Sequence, residues 1–168
     1  MLSLQSMQVL LLDDSAPMRA IVGEVLRAAG IERIVDTESP GEAWRLMQQH
    51  AFDVAIVDYN MKPMTGLEFT RRVRTDPQSP CPHLPIIMMT GHAERSRVVE
   101  ARDAGVSEFV VKPVTTKVLM ERLYAVVLKP RAFVRDPAFV GPCRRRARRA
   151  DFDGPYRRRT DPKGVVEV

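Results

Sequence analysis

The chain has 168 residues, 45% apolar and 28% charged, which fits one ordinary domain plus an extension. Its net charge of +5 is unevenly spread: residues 1–130 hold 15 Lys/Arg against 16 Asp/Glu, and residues 131–168 hold 11 against 5, so the basic character belongs to the tail. Cys81 and Cys143 stand in unrelated surroundings with no metal or disulfide spacing, and the start MLSLQSMQVLLLDD lacks a basic n-region and is too short to span a membrane, so a reduced, cytoplasmic setting is expected.

Val9–Leu12 reads as a first strand, ending in Asp13-Asp14. Ser15 then precedes a helical pattern through Met18, Ile21, Val22, Val25 and Leu26, closed by Gly30. Arg33–Asp36 is a weaker strand. Ser39-Pro40-Gly41-Glu42 predicts a capping box with Pro at the first helical position, and Trp44, Leu46 and Met47 give that second helix a packing face. Val54–Val57 is a third strand, ending in Asp58. Thr65-Gly66-Leu67-Glu68 is a second capping box, opening a third helix. The proline-dense SPCPHLP, with Cys81 and His83, reads as loop rather than metal site. Ile86–Met89 is a fourth strand, ending in Thr90. A helix over Glu94–Ala104 stops at Gly105, and Phe109–Val111 runs into Lys112-Pro113. The last helix, Thr115–Lys129, turns Val118, Leu119, Leu123, Val126 and Val127 inward and is stopped by Pro130. The strand runs are short and mostly apolar without alternation, as in a parallel sheet covered on both faces. The sum is (βα)₅, an α/β doubly wound fold whose ligands bind beyond the carboxyl ends of the strands.

Those ends carry Asp13-Asp14, Asp58, Thr90 and Lys112-Pro113. Each has an ordinary reading alone: an Asp caps a turn, Thr90 before Gly91 begins one, and Pro113 breaks the chain. Their coincidence on one rim is more specific. Crowded carboxylates repel unless a cation holds them, Mg²⁺ suits carboxylate, carbonyl and water ligands, and Lys112 adds a point charge for a carboxylate or a phosphoryl oxygen. Met61, Met64, Met88 and Met89 near this rim read as gap fillers.

The acidic pair Asp13-Asp14, VDYNMKPMTG around Asp58, MMTGHA around Thr90 and FVVKP around Lys112 resemble the receiver domain of two-component response regulators, over residues 7–129. The resemblance implies a CheY-like (flavodoxin-like) sheet of order 2-1-3-4-5, with residues 130–168 a non-globular Pro/Arg-rich tail. It implies that Asp58 is a phosphoacceptor served by a histidine kinase or histidine phosphotransfer protein. Asp14, Asp58, the backbone carbonyl of Asn60 and, through water, Asp13 would hold Mg²⁺ (or Mn²⁺). Thr90 and Lys112 would contact the phosphoryl group, and Pro113 would follow a cis peptide. Phe109 matches the family's switch aromatic; many members have tyrosine there, so a phenylalanine switch would rest on packing, and an ordinary core residue is the other reading. His92, with Asn60, matches positions that tune dephosphorylation, though a solvated loop histidine fits equally. The chain is therefore expected to be a single-domain response regulator, a phosphoacceptor rather than a conventional enzyme, signalling to an unidentified protein target. The face of its fourth helix, fifth strand and fifth helix is a candidate dimer contact. The enzyme alternative, an aspartate-nucleophile phosphatase, calls for Asp-x-Asp on the first strand, where this chain has adjacent aspartates.

The tail carries a motif twice, thirteen residues apart: Phe139, Gly141, Pro142, Arg144, Arg145 and Arg146 recur as Phe152, Gly154, Pro155, Arg157, Arg158 and Arg159. With Pro137, Pro142, Pro155 and Pro162 and few aliphatics, it holds no DNA-reading fold and no core of its own. Three readings stand: a solvated charged tail; a binder of nucleic acid or acidic lipid, with Phe152 and Tyr156 stacking on bases; or a short docking motif used twice, its prolines fixing the spacing of Phe and Arg.

Overall fold

The computed structural model describes residues 4–91, 94–144 and 165–166. Its main sheet is parallel, with β1 (Gln8–Leu12), β2 (Arg33–Thr37), β3 (Val54–Asp58), β4 (Ile86–Thr90) and β5 (Glu108–Val111) in the order β2-β1-β3-β4-β5. The connecting helices are α1 (Ala16–Ala28), α2 (Pro40–Gln49), α3 (Gly66–Thr75), α4 (Arg95–Asp103) and α5 (Thr116–Leu128). This is the doubly wound order expected from the sequence.

Every residue of β3 and β4 is buried, which is why those strands read as unbroken apolar runs. Strand pleating then splits each run between two layers. Val9, Leu11, Ile56, Ile87 and Met89 pack with Val22 and Leu26 of α1 and Leu119 and Leu123 of α5. Leu10, Leu12, Ala55, Val57 and Ile86 pack with Ala43, Trp44 and Met47 of α2 and Phe69 and Val73 of α3. Each large side chain so buried contributes about 1.5–3 kcal/mol. Register brings the strand ends level: Leu12 pairs with Val57, Asp58 with Met89, and Thr90 with Val111.

Caps set where the helices begin. Thr65 forms the full capping box, its hydroxyl accepting from the Glu68 N–H while Glu68 accepts from the Thr65 N–H. The box expected at Ser39 is half-formed. Ser39 Oγ accepts from the Glu42 N–H, but the Ser39 N–H already donates to Thr37 Oγ1, and the Glu42 carboxylate turns to Arg45.

Of the three readings of the tail, a wholly solvated chain does not describe residues 133–142. β6 (Phe133–Asp136) and β7 (Phe139–Pro142) form an antiparallel hairpin, and β8 (Val165–Val166) joins the other edge of β6. Asp136 Oδ1 holds the turn by accepting from the N–H groups of Ala138 (2.7 Å) and Phe139 (2.9 Å). The prolines fit because Pro137 lies in the turn and Pro142 ends an edge strand. The hairpin lacks a core of its own, so it borrows one. Phe133 and Val134 are buried, and the Phe133 ring stands edge-on to His83 at 4.2 Å and 5.4 Å from the guanidinium carbon of Arg74. Arg131 donates to the carbonyls of Ser107 and Cys143, tying the hairpin to the start of β5. Arg74 is itself 1% exposed, donates to the carbonyls of Gly105 (3.0 Å) and Pro82 (2.7 Å), and is pushed down to about 9 by burial.

Phe133→Ala removes the ring that covers this buried guanidinium. The expected loss in chemical denaturation is about 3 kcal/mol; a change under about 0.5 kcal/mol would show that the hairpin is not packed in solution.

Candidate functional site

The rim above β1, β3, β4 and β5 carries the five side chains expected there. Ligand oxygens of Asp13, Asp14 and Asp58 all lie within 4.8 Å of one another. Lys112 Nζ lies 2.7 Å from Asp58 Oδ1 and 3.1 Å from Asp13 Oδ2, so one ammonium bridges two buried carboxylates. Asp14 is exposed. Thr90 ends β4 fully buried, and its carbonyl accepts from the Lys112 N–H at 2.7 Å.

Backbone and side chains around these groups fix their aim. Asp13 Oδ1 accepts from the Ser15 N–H (2.8 Å) and the Asp13 carbonyl from Arg19 (2.8 Å). Asp58 Oδ2 accepts from the Asn60 N–H at 3.0 Å, so Asn60 already contributes its N–H to the site, in addition to the carbonyl that the sequence pointed to. Gly66 opens α3 against the end of β3: a Cβ there would fall 2.1 Å from the Asp58 carbonyl oxygen, a distance only glycine allows.

Burial pushes the Asp58 carboxyl up from its ordinary value; the Lys112 ammonium opposes this and the Asp13 carboxylate adds to it. Burial alone would lower Lys112, but Asp58 and Asp13 together outweigh it, and its pKa rises.

The remaining expected residues lie elsewhere. Pro113 follows a cis peptide after Lys112, and a second cis bond, Lys62-Pro63, was not foreseen. Phe109 is half-buried against the cluster of Leu67, Met88, Ala101, Ala104 and Val106 that underlies α4. His92 lies outside the described residues. In the tail, Phe139, Gly141, Pro142 and Arg144 sit in or beside the hairpin near the amino ends of β4 and β5, away from the rim; Arg145, Arg146, Phe152, Gly154, Pro155, Arg157, Arg158 and Arg159 lie outside the described residues. Sequence reasoning missed Tyr59, whose hydroxyl donates to Glu100 of α4 at 2.9 Å while Arg97 of α4 lies 5.0 Å from its ring. Its place beside Asp58 was the available signal.

This geometry is that of a known family: residues 9–124 match the model of the response regulator receiver domain. The chain belongs to that family. It is 37% identical over 117 residues to the chemotaxis protein CheY of Pseudomonas aeruginosa, covering 70% of this chain and 93% of the relative. It is 38% identical over 122 residues to CheY1 of Helicobacter pylori, covering 72% and 97%. Among solved structures, Vibrio cholerae CheY4 matches with a TM-score of 0.65 at 34% identity, covering 71% of this chain and 98% of that one. A receiver domain protein from Clostridium thermocellum shares the fold at 23% identity and a TM-score of 0.65. The receiver is thus a response regulator of two-component signalling, a role that implies histidine kinase or phosphotransfer partners and downstream targets. Among its described residues no helix is long and apolar enough to cross a membrane.

The raised Asp58 carboxyl has a definite sign in stability. The folded receiver keeps that proton above pH 3.8, where the unfolded chain loses it, so this group's contribution falls as pH rises from the ordinary carboxylate value through the raised one. Asp58→Asn removes the decline. Relative to wild type the variant should gain stability as pH rises above 3.8 in denaturant unfolding; a relative loss would mean that the Lys112 pair outweighs burial.

Proposed function

We propose that this receiver is a magnesium-dependent phosphoacceptor that takes a phosphoryl group on Asp58 and signals through protein contacts, without turning over a substrate as an enzyme does. The observation that carries the reading is the single ammonium shared by Asp58 and Asp13 beside a third carboxylate. Three carboxylates and one ammonium leave two net negative charges, which suits a divalent cation with oxygen ligands. Asp14, Asp58, Asp13 through water and the Asn60 carbonyl would hold it, and when bound it would neutralise charge on the phosphoryl oxygens.

The chain's own residues do the rest. A carboxylate oxygen of Asp58 attacks phosphorus, the O–P bond forms as the P–N bond of a phosphohistidine donor breaks, and the released imidazole takes a proton. Phosphoryl transfer of this kind depends on placement and charge more than on covalent assistance. Lys112 is already paired to the attacking carboxylate and would follow the charge to the phosphoryl oxygens. The buried Thr90, at the level of Asp58, offers a hydroxyl to the same group. Phe109 lies under α4, where a packing switch would act, and His92 with Asn60 would set how long the acyl phosphate survives. The identity of the target protein, and a dimer through α4, β5 and α5, belong to the same reading.

Incubation with Mg²⁺ and a small phosphoramidate donor should add one phosphoryl group, read by intact-mass spectrometry. Asp58→Asn should remain unmodified, and chelation of the metal should slow the wild type by roughly 100-fold or more, as expected when charge neutralisation carries the reaction. Equal labelling of the Asn variant would sink the assignment.

A further inference from the structure

The first Phe-x-Gly-Pro-x-Arg copy is docked on the body, and the docking uses the side-chain identity of its repeated positions Phe139, Gly141, Pro142 and Arg144. The Phe139 ring lies 4.1 Å from the guanidinium carbon of Arg144, which reaches Asp103 Oδ1 at 3.5 Å. At Gly141 a Cβ would fall 2.7 Å from the Gly105 Cα and 2.9 Å from the Phe139 ring. Pro142 is buried and closes β7 opposite Phe133. The two positions that differ between copies act through backbone. The Val140 carbonyl fills the notch over Gly105, where a Cβ would meet it at 2.6 Å. Cys143 donates its N–H to Ala132 at 2.7 Å and accepts from Arg131 at 3.1 Å. The second copy puts Asp153 and Tyr156 at these two positions and keeps the other four.

We propose that the corner formed by Gly105, Asp103 and the edge of β6 is a binding site for Phe-x-Gly-Pro-x-Arg segments, and that Phe152–Arg157 of the same chain is its second ligand, exchanging with Phe139–Arg144. The segment carrying the second copy is fastened near the site at both ends, because β7 and β8 flank β6. Intramolecular competition follows from that tether. The first copy holds the advantage, since only residues 137–138 separate it from β6, against residues 137–151 for the second. By loop-closure entropy that difference disfavours the second copy about twentyfold. Exchange would release Arg144 from Asp103 and bring Arg157 there, giving the basic tail two alternative anchor points.

The test compares amide spectra of the labelled full chain carrying Gly141→Val, Gly154→Val or both. In Gly141→Val alone, the Asp103, Gly105 and Ser107 amides should stay near their wild-type positions, because the second copy takes the corner. The double variant should move them, and a peptide of residues 150–161 should restore them, binding the double variant roughly tenfold or more tightly than wild type, where the site is filled. The proposal is overturned if Gly141→Val alone gives the double variant's spectrum, if the peptide leaves the double variant unchanged, or if occupancy in Gly141→Val depends on protein concentration, which would make a second chain the ligand. Well-dispersed β1–β5 amides serve as the folding control. Should valine disturb them, Phe139→Ala with Phe152→Ala gives the same comparison, with the same outcomes expected.

Discussion

Lys112 sits between Asp58 and Asp13 at hydrogen-bond distance, and the architecture of the rim depends on that bridge. A parallel sheet points the carboxyl ends of its strands the same way, so any acid ending a strand joins its neighbours at one edge. Here two such acids are nearly inaccessible to solvent. Desolvating a carboxylate costs several kcal/mol, which a charge partner offsets only when placed well. The ammonium approaches from β5, the far strand of the sheet, and its position is fixed by the Lys112 N–H bonded to the Thr90 carbonyl. The other oxygen of each carboxylate accepts from one backbone N–H, Ser15 for Asp13 and Asn60 for Asp58. The site is held by register and local turns, yet remains short of positive charge.

That arrangement explains which parts of the molecule were legible in the sequence. Burial on both faces makes β1, β3 and β4 unbroken apolar runs, so their ends could be located to within a residue or two, and Asp13, Asp58 and Thr90 fall at those ends. Thr65 announced its helix because both halves of its box are local. Ser39 did not behave likewise, since Thr37 satisfies the N–H that Glu42 would otherwise accept from. A local pattern is reliable only where no closer group competes for the same donor.

The hairpin was hidden for a different reason. FVRDPAFVGP contains a turn and two short β-prone runs, a fair hairpin signal. What makes it fold is distant: Arg74, His83 and Gly105 provide the surface that Phe133 and Gly141 require. An isolated two-stranded hairpin is marginal in water, and composition alone therefore left a solvated tail and a docking motif both open. Arg74 was equally hard to anticipate, because a fully buried arginine makes sense only once the carbonyls of Gly105 and Pro82 are seen to receive it.

α4 stands apart from the other helices in what holds it. Among its residues only Ala101 is buried, its cap residue Glu94 makes no side-chain capping hydrogen bond, and Val98 and Val99 are exposed. Its fixed points are polar. Midway along the helix, Tyr59 donates to Glu100 and stacks beneath Arg97; at the carboxyl end, Arg144 reaches Asp103. Exposed contacts of this kind are worth about 1 kcal/mol or less each, against about 1.5–3 kcal/mol for one buried side chain. A change in charge at Asp58, one residue from Tyr59, therefore competes with terms of its own size at α4, whereas β3 is anchored far more strongly. The same helix carries the carboxylate that Arg144, the first arginine of the repeated motif, reaches. The neighbour of Asp58 and the basic tail thus both touch one lightly anchored element.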